Sequence, residues 1–273
     1  MIRYDTNDTS LVLPLWESDY MEMIPPESDL NDIFLENLVV GYRKMVENDL
    51  KSTGNDKEEI QHDFIRNVLS KYLSDRYVII SKTEGMGINE ECTIPIFAGT
   101  GKKMDITVID SKYDKVVLCI NCKFPLSSYK KNMPNYEDIL FGESYRLHKA
   151  NPNLPIFSFN VMMSNIPVFN GDKEITGFDS ITQETLDTYD ELAKGLVVED
   201  KFLKGFGLMV IDDIVVNENM FRIKNLEQFK QSHQNQFSLD LFLIKEYHKM
   251  IYNDFDKFIN QILDCIKEYE KTH

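Results

Sequence analysis

Apolar positions along this chain follow two rhythms, and the switch between them marks its architecture. From about Ser28 to Leu50, Leu30, Phe34, Leu38, Tyr42 and Met45 recur at helical spacing. The polar run KSTGND ends that pattern. A second helix is predicted from Asn55 or Asp56 to about Leu73, with Asp56 and Glu59 at capping-box spacing and an apolar stripe of Ile60, Phe64, Val68 and Tyr72. The period then drops to two. Tyr77 to Ser81, Cys92 to Phe97, Asp105 to Ile109 and Val116 to Lys123 read as strands, punctuated by Gly85, Gly87, Gly99 and Gly101.

Beyond Lys123 the helical period returns from about Asn135 to Lys149. Pro155 to Met163 reads as a buried strand, residues 181 to 194 as a helix, and Phe206 to Val216 as extended. From about Ser238 to Glu270 a long helix is predicted, because Ile244, Tyr247, Ile251, Phe255, Phe258, Ile262 and Ile266 fall along one face. The order helix, strands, helix, strand, helix predicts an α/β fold in a single domain spanning 1–273, with helical N- and C-terminal additions.

The residue at the start of one predicted strand and those at the end of the next carry chemistry. Asn121 and Lys123 are two apart, so they share a strand face. Asp105 opens the preceding strand. A hairpin joining these strands runs antiparallel, so Asp105 should meet Asn121 and Lys123 at one end of the sheet. An acid, an amide oxygen and an ammonium in one place suit metal-assisted phosphodiester hydrolysis. A hard cation such as Mg²⁺ takes oxygen ligands and activates water, and a nearby lysine stabilises charge on phosphorus.

Charge sharpens this picture. The chain carries −15 and has a pI of about 4.8, which argues against broad charge-driven binding to nucleic acid. Residues 101–149, however, hold nine Lys/Arg against six Asp/Glu, a balance of +3, which leaves −18 on the rest. Just past Lys123, Ser127, Ser128, Lys130 and Lys131 are candidates to hold DNA phosphates, or else form a solvated loop. Tyr145 and Arg146 face substrate or point away, depending on how their helix is turned.

The run of a Glu-bearing helix, strands, MDITV, a turn, CINCK, helix and strand resembles the PD-(D/E)xK nuclease superfamily, and in kind the type II restriction endonucleases. The resemblance covers roughly residues 55–165. It implies a restriction-endonuclease-like mixed β-sheet core flanked by helices, with 166–273 as recognition or dimerisation additions. It implies a Mg²⁺-dependent enzyme that cuts double-stranded DNA as a homodimer, with Asp105 and Asn121 holding the metal and Lys123 assisting water and phosphate. The family usually places an acid two residues before the lysine, where this chain has Asn121. Several members recover a carboxylate about 14 residues after the lysine. Glu137 stands there, with Glu143 as the alternative. The family also often places a Glu on the preceding helix, which selects Glu59, with Glu58 or Asp63 behind it. If no carboxylate restores the missing charge, the chain is instead an inactive, nuclease-derived DNA- or partner-binding protein. A further reading is an acidic interaction protein with no DNA role.

Other features fall away. Cys92, Cys119, Cys122 and Cys265 form no disulfide framework, and Cys119-x-x-Cys122 lacks the second pair a zinc site needs. They read as core thiols. The five histidines, at 62, 148, 233, 248 and 273, form no ligand or triad pattern and read as structural or surface residues. GTGKK lacks P-loop spacing. With no signal-peptide pattern at the N-terminus and no apolar run near 18 residues, the expectation is a cytoplasmic protein without membrane association.

Overall fold

The computed structural model describes residues 30–35, 37–38, 55–84, 87–88, 93–124, 129–169, 175–213, 237–239, 247 and 249–273. Residues 30–35 and 37–38 are helical (α1), so the first predicted helix is seen only over its first half. Helix α2 spans Asn55–Tyr72, close to the predicted bounds. Its buried face is broader than the predicted stripe. Phe64 and Val68 are buried as expected, together with Gln61, His62, Ile65 and Leu69, whereas Tyr72 is 54% exposed.

A mixed sheet forms the centre of the molecule. Strands β1 (Tyr77–Ser81), β2 (Ile106–Asp110), β3 (Lys115–Lys123), β4 (Ile156–Met163) and β7 (Gly205–Asp213) lie in that spatial order. The first three strands pair antiparallel, while β3/β4 and β4/β7 pair parallel. Two short strands, β8 (Phe237–Leu239) and β9 (Ile251–Tyr252), pair with the far side of β7. The parallel β3/β4 step needs a crossover, and helix α3 (Tyr129–Ala150) supplies it. This helix begins earlier than expected and runs through Pro134. Strands β5 (Asn165–Phe169) and β6 (Ile175–Ser180) form a separate hairpin, followed by α4 (Gln183–Ala193). Thr182 caps α4 by accepting from the Thr185 N–H. Past residue 165, then, β7, β8 and β9 extend the main sheet, while β5 and β6 stand apart from it.

Two expectations need correction. Of the predicted strand Cys92–Phe97, the described residues 93–97 keep only Thr93–Ile94 as strand, which pairs with Lys102–Lys103 outside the main sheet; Cys92 lies outside the described residues. Pro95 has no N–H for a ladder, and the chain turns at Ala98, whose φ is 54°. The continuous helix from 238 to 270 also fails. Ile251 and Tyr252 are strand residues, Asn253 has φ 50°, and Asp254 caps a helix, α5, that spans only Phe255–Glu270. The i, i+4 spacing of the apolar residues crosses this break, but the Asn253-Asp254 turn chemistry overrides it.

One side of the sheet is sealed by aromatic packing. Phe34 of α1 stacks on Phe255 of α5 at 4.6 Å, and Phe159 of β4 contacts Phe34, Phe255 and Phe258. Gly207 lets α5 settle onto β7. A Cβ there would come within 2.8 Å of Phe258 and 3.1 Å of Phe159. Among the described residues, no helix is long and apolar enough to cross a membrane. Cys119, Cys122 and Cys265 are buried thiols outside any disulfide, in line with core thiols, and Cys92 lies outside the described residues.

Candidate active site

Strand register decides which side chains meet. Ile106 pairs with Ile120, so one rung further Asp105 comes opposite Asn121. Asp105 is 6% exposed, and its Oδ2 accepts a 2.7 Å bond from the Cys122 N–H. The antiparallel hairpin thus brings the acid to the Lys123 end of β3, as the sequence predicts.

On β3, alternation separates two faces. Cys122 pairs with Phe159, which belongs to the aromatic side. Asn121 and Lys123 pair with Ser158 and Asn160 and so face the other side, toward α3 and α4. Asn121 is 1% exposed, and neither of its amide atoms has a hydrogen-bond partner among the described residues. Asn160 uses its Nδ2 to bond Ser158 Oγ and the Gly207 carbonyl.

Helix α3 lays a stripe of Met133, Glu137, Leu140, Ser144 and Leu147 along the sheet; Leu140, Ser144 and Leu147 are buried. Glu137 is one turn above Leu140, and there it lines a small cleft of about 70 Å³ with Lys123. Tyr136, Asn160, Met162 and Tyr189 complete most of its wall. Burial, and to a lesser degree Asp138, pushes the Glu137 carboxyl above its usual range. Glu143 is not at this cleft; its carboxylate pairs with Lys102 at 2.6 Å. Arg146 and Tyr145 do not line the cleft either. Arg146 donates to the carbonyls of Phe97 and Ala98, and Tyr145 packs on Phe97 and Phe202. Both brace a loop rather than the cleft.

Other candidates are only partly described. Glu59 and Glu58 lie in the first turns of α2, where their side chains fall outside the described residues. Asp63, further along α2, accepts from Ser81 Oγ and pairs with Arg66. Ser127 and Ser128 are outside the described residues. Lys130 and Lys131 sit in the first turn of α3, with side chains likewise outside. Among the described residues, no group of three His, Cys, Asp or Glu side chains could hold a metal.

Two residues at this end of the sheet were not foreseen. Lys82, just after β1, places its ammonium 3.5 Å from Asp105 Oδ1. His62 of α2 is fully buried, with neither ring nitrogen hydrogen-bonded among the described residues. Burial pushes its pKa down to about 4, opposed by the charge of Asp105 and reinforced by Lys82 and Lys123. His62 therefore belongs to the electrostatic surroundings of the site. The sequence signal for it was the polar pair Gln61-His62 interrupting an apolar stripe. Lys82 had no local signal.

Comparison with protein-family models, with curated proteins and with solved structures finds no match.

Proposed function

We propose that this chain is a Mg²⁺-dependent endonuclease that hydrolyses phosphodiester bonds of double-stranded DNA. On this reading the core is restriction-endonuclease-like, and the protein acts as a homodimer in the manner of a type II restriction enzyme. The observation that carries the reading is the convergence of Asp105, Asn121 and Lys123 at one sheet end, with Glu137 across a cleft from Lys123.

The donors suit a hard divalent ion. Asp105 and Glu137 offer carboxylate oxygens, and Asn121 offers a buried carbonyl oxygen that no group in the described protein uses. These three residues would hold the cation, with Glu59 as a further candidate. When bound, the cation neutralises phosphate charge and makes its water more acidic. The Cys122 N–H fixes the Asp105 carboxylate in place, so that group needs no reorganisation during reaction. Lys123 brings an ammonium to the phosphate oxygens and stabilises the charge that builds there. Water adds to phosphorus, one ester bond breaks, and the leaving oxygen departs as a hydroxyl.

Two observations favour a second reading, a nuclease-derived protein that binds DNA or a partner without cutting. Asn121 stands where the related pattern has an acid, and Lys82 occupies one oxygen of Asp105. Supercoiled plasmid incubated with Mg²⁺ separates the two. The nuclease reading expects discrete fragments, lost with Lys123→Ala. Absence of cleavage with Mg²⁺ or Mn²⁺ across varied DNA would establish the second reading in its place, and failure to bind duplex even at low salt would remove DNA altogether.

A further inference from the structure

The proposed chemistry leaves Lys82 without a task. Its backbone N–H bonds the Asp105 carbonyl at 2.9 Å, so the two residues are held side by side. Its ammonium reaches Asp105 Oδ1 at 3.5 Å. The two carboxylate oxygens are thus held differently. Oδ2 takes a backbone N–H that cannot leave without shifting β3. Oδ1 faces an ammonium on a flexible four-carbon stem that is 31% exposed and can swing away.

A divalent cation on Oδ1 would sit roughly 2.1 to 2.6 Å from it, inside the space that the ammonium closes off. Like charges that close repel by several times thermal energy even at an intermediate dielectric. Cation and Lys82 therefore compete for one oxygen. Once displaced, the ammonium is left at the same sheet end as Lys123, where a phosphate would lie.

We propose that Lys82 is the exchangeable counter-ion of Asp105. It neutralises the acid in the cation-free protein, yields Oδ1 to an incoming divalent cation, and then carries its charge to the DNA phosphate. This rests on the nuclease reading above, but it makes Lys82 a positioning residue whose effect is read in cation binding without any cleavage.

Calorimetric titration of Ca²⁺ into the full chain without DNA tests it. Lys82→Met should bind Ca²⁺ about tenfold more tightly than the wild type, Lys82→Arg should stay close to the wild type, and Asp105→Asn should lose binding. Lys82→Gln repeats the measurement with a second neutral side chain, in case the first variant fails to fold. With Ca²⁺ present, the salt dependence of duplex binding by Lys82→Met should weaken by about one phosphate contact. Equal or weaker Ca²⁺ binding by both neutral variants, with binding still lost in Asp105→Asn, would overturn the role of Lys82 and leave the nuclease reading standing. An unchanged salt slope would overturn the phosphate contact. No Ca²⁺ binding by wild type or variants at millimolar concentration would overturn both readings.

Discussion

Asp105 Oδ2 accepts a 2.7 Å hydrogen bond from the backbone N–H of Cys122, the residue just before Lys123. This bond ties the acid on one strand to the lysine on the next, and it separates folding from chemistry. Asp105→Asn keeps an acceptor for the Cys122 N–H and should leave the melting temperature nearly unchanged. Asp105→Ala strands a buried donor and should cost about 1–3 kcal/mol. Both should lower plasmid cleavage by at least about a hundredfold. Thermal melts run beside cleavage assays check the split, and equal stability losses for the two variants would refute it.

Asn121 is the departure on which activity turns. Its amide is buried and unpartnered, so the pocket already holds a polar group of that shape. Asn121→Asp adds a buried negative charge. Without a divalent ion that charge should destabilise the fold by a few kcal/mol. Millimolar Mg²⁺ should restore the stability and raise the cleavage rate above the wild type. Melting curves in EDTA and in Mg²⁺ measure the difference, and a variant equally unstable in both would show that this position does not face a cation.

Glu137 titrates above the ordinary carboxylate range because it is partly buried, with Asp138 adding repulsion. Its charged form is the useful one on the proposed reading. Cleavage should therefore fall as pH drops through that raised value, higher than a solvent-exposed glutamate would allow. Glu137→Gln should reduce the rate by roughly a hundredfold and flatten the acid limb of the profile. A pH–rate profile with the same acid limb in both proteins would exclude Glu137 from the reaction.

The order of α2, β1 to β4 and α3 was readable from the chain because each element keeps one period and ends at a polar or glycine break. The meeting of Asp105 with Lys123 was readable too, since antiparallel pairing and alternation require it. Lys82 was not, because its distance to Asp105 depends on the β1/β2 register. His62 was not, because only the packing of α2 brings its ring near those charges. The β5/β6 hairpin was hidden by Pro167 and by a register shift at Gly177, both of which break the strand signal. The start of α5 was misplaced because apolar spacing continued through Asn253, where the backbone turns.

Phe255 joins the layers. It stacks on Phe34 and touches Phe64 and Phe159, so one ring holds α5 to α1, α2 and the sheet. Phe255→Ala should destabilise the protein by about 3–5 kcal/mol. Phe255→Leu, which refills most of the volume, should lose clearly less. Urea unfolding followed by circular dichroism measures both, and a loss under about 1 kcal/mol for the alanine variant would mean the layers do not depend on this ring.

His62 makes a pH prediction for stability. Unfolded, it takes a proton near 6.5; folded, burial holds its pKa at about 4. Between those values the unfolded chain binds more protons than the native one, so stability rises with pH across that window. On acidification from pH 7 to pH 5, this residue alone should remove about 2 kcal/mol. Below about pH 4 both states are protonated, and the penalty stops growing. The second depressed group lies lower. Asp110 is held down to about 2 by its bonds from Arg76, with the Lys112 N–H and the Tyr269 hydroxyl also donating to it, so its contribution persists to pH 5 and is lost only as pH falls toward 2. The two effects are therefore separable. His62→Gln, compared with the wild type by urea midpoints at pH 7, 6, 5 and 3, should remove most of the difference between pH 7 and pH 5 and leave the further loss at pH 3 intact. An unchanged slope in the variant would show that His62 is not the group that titrates.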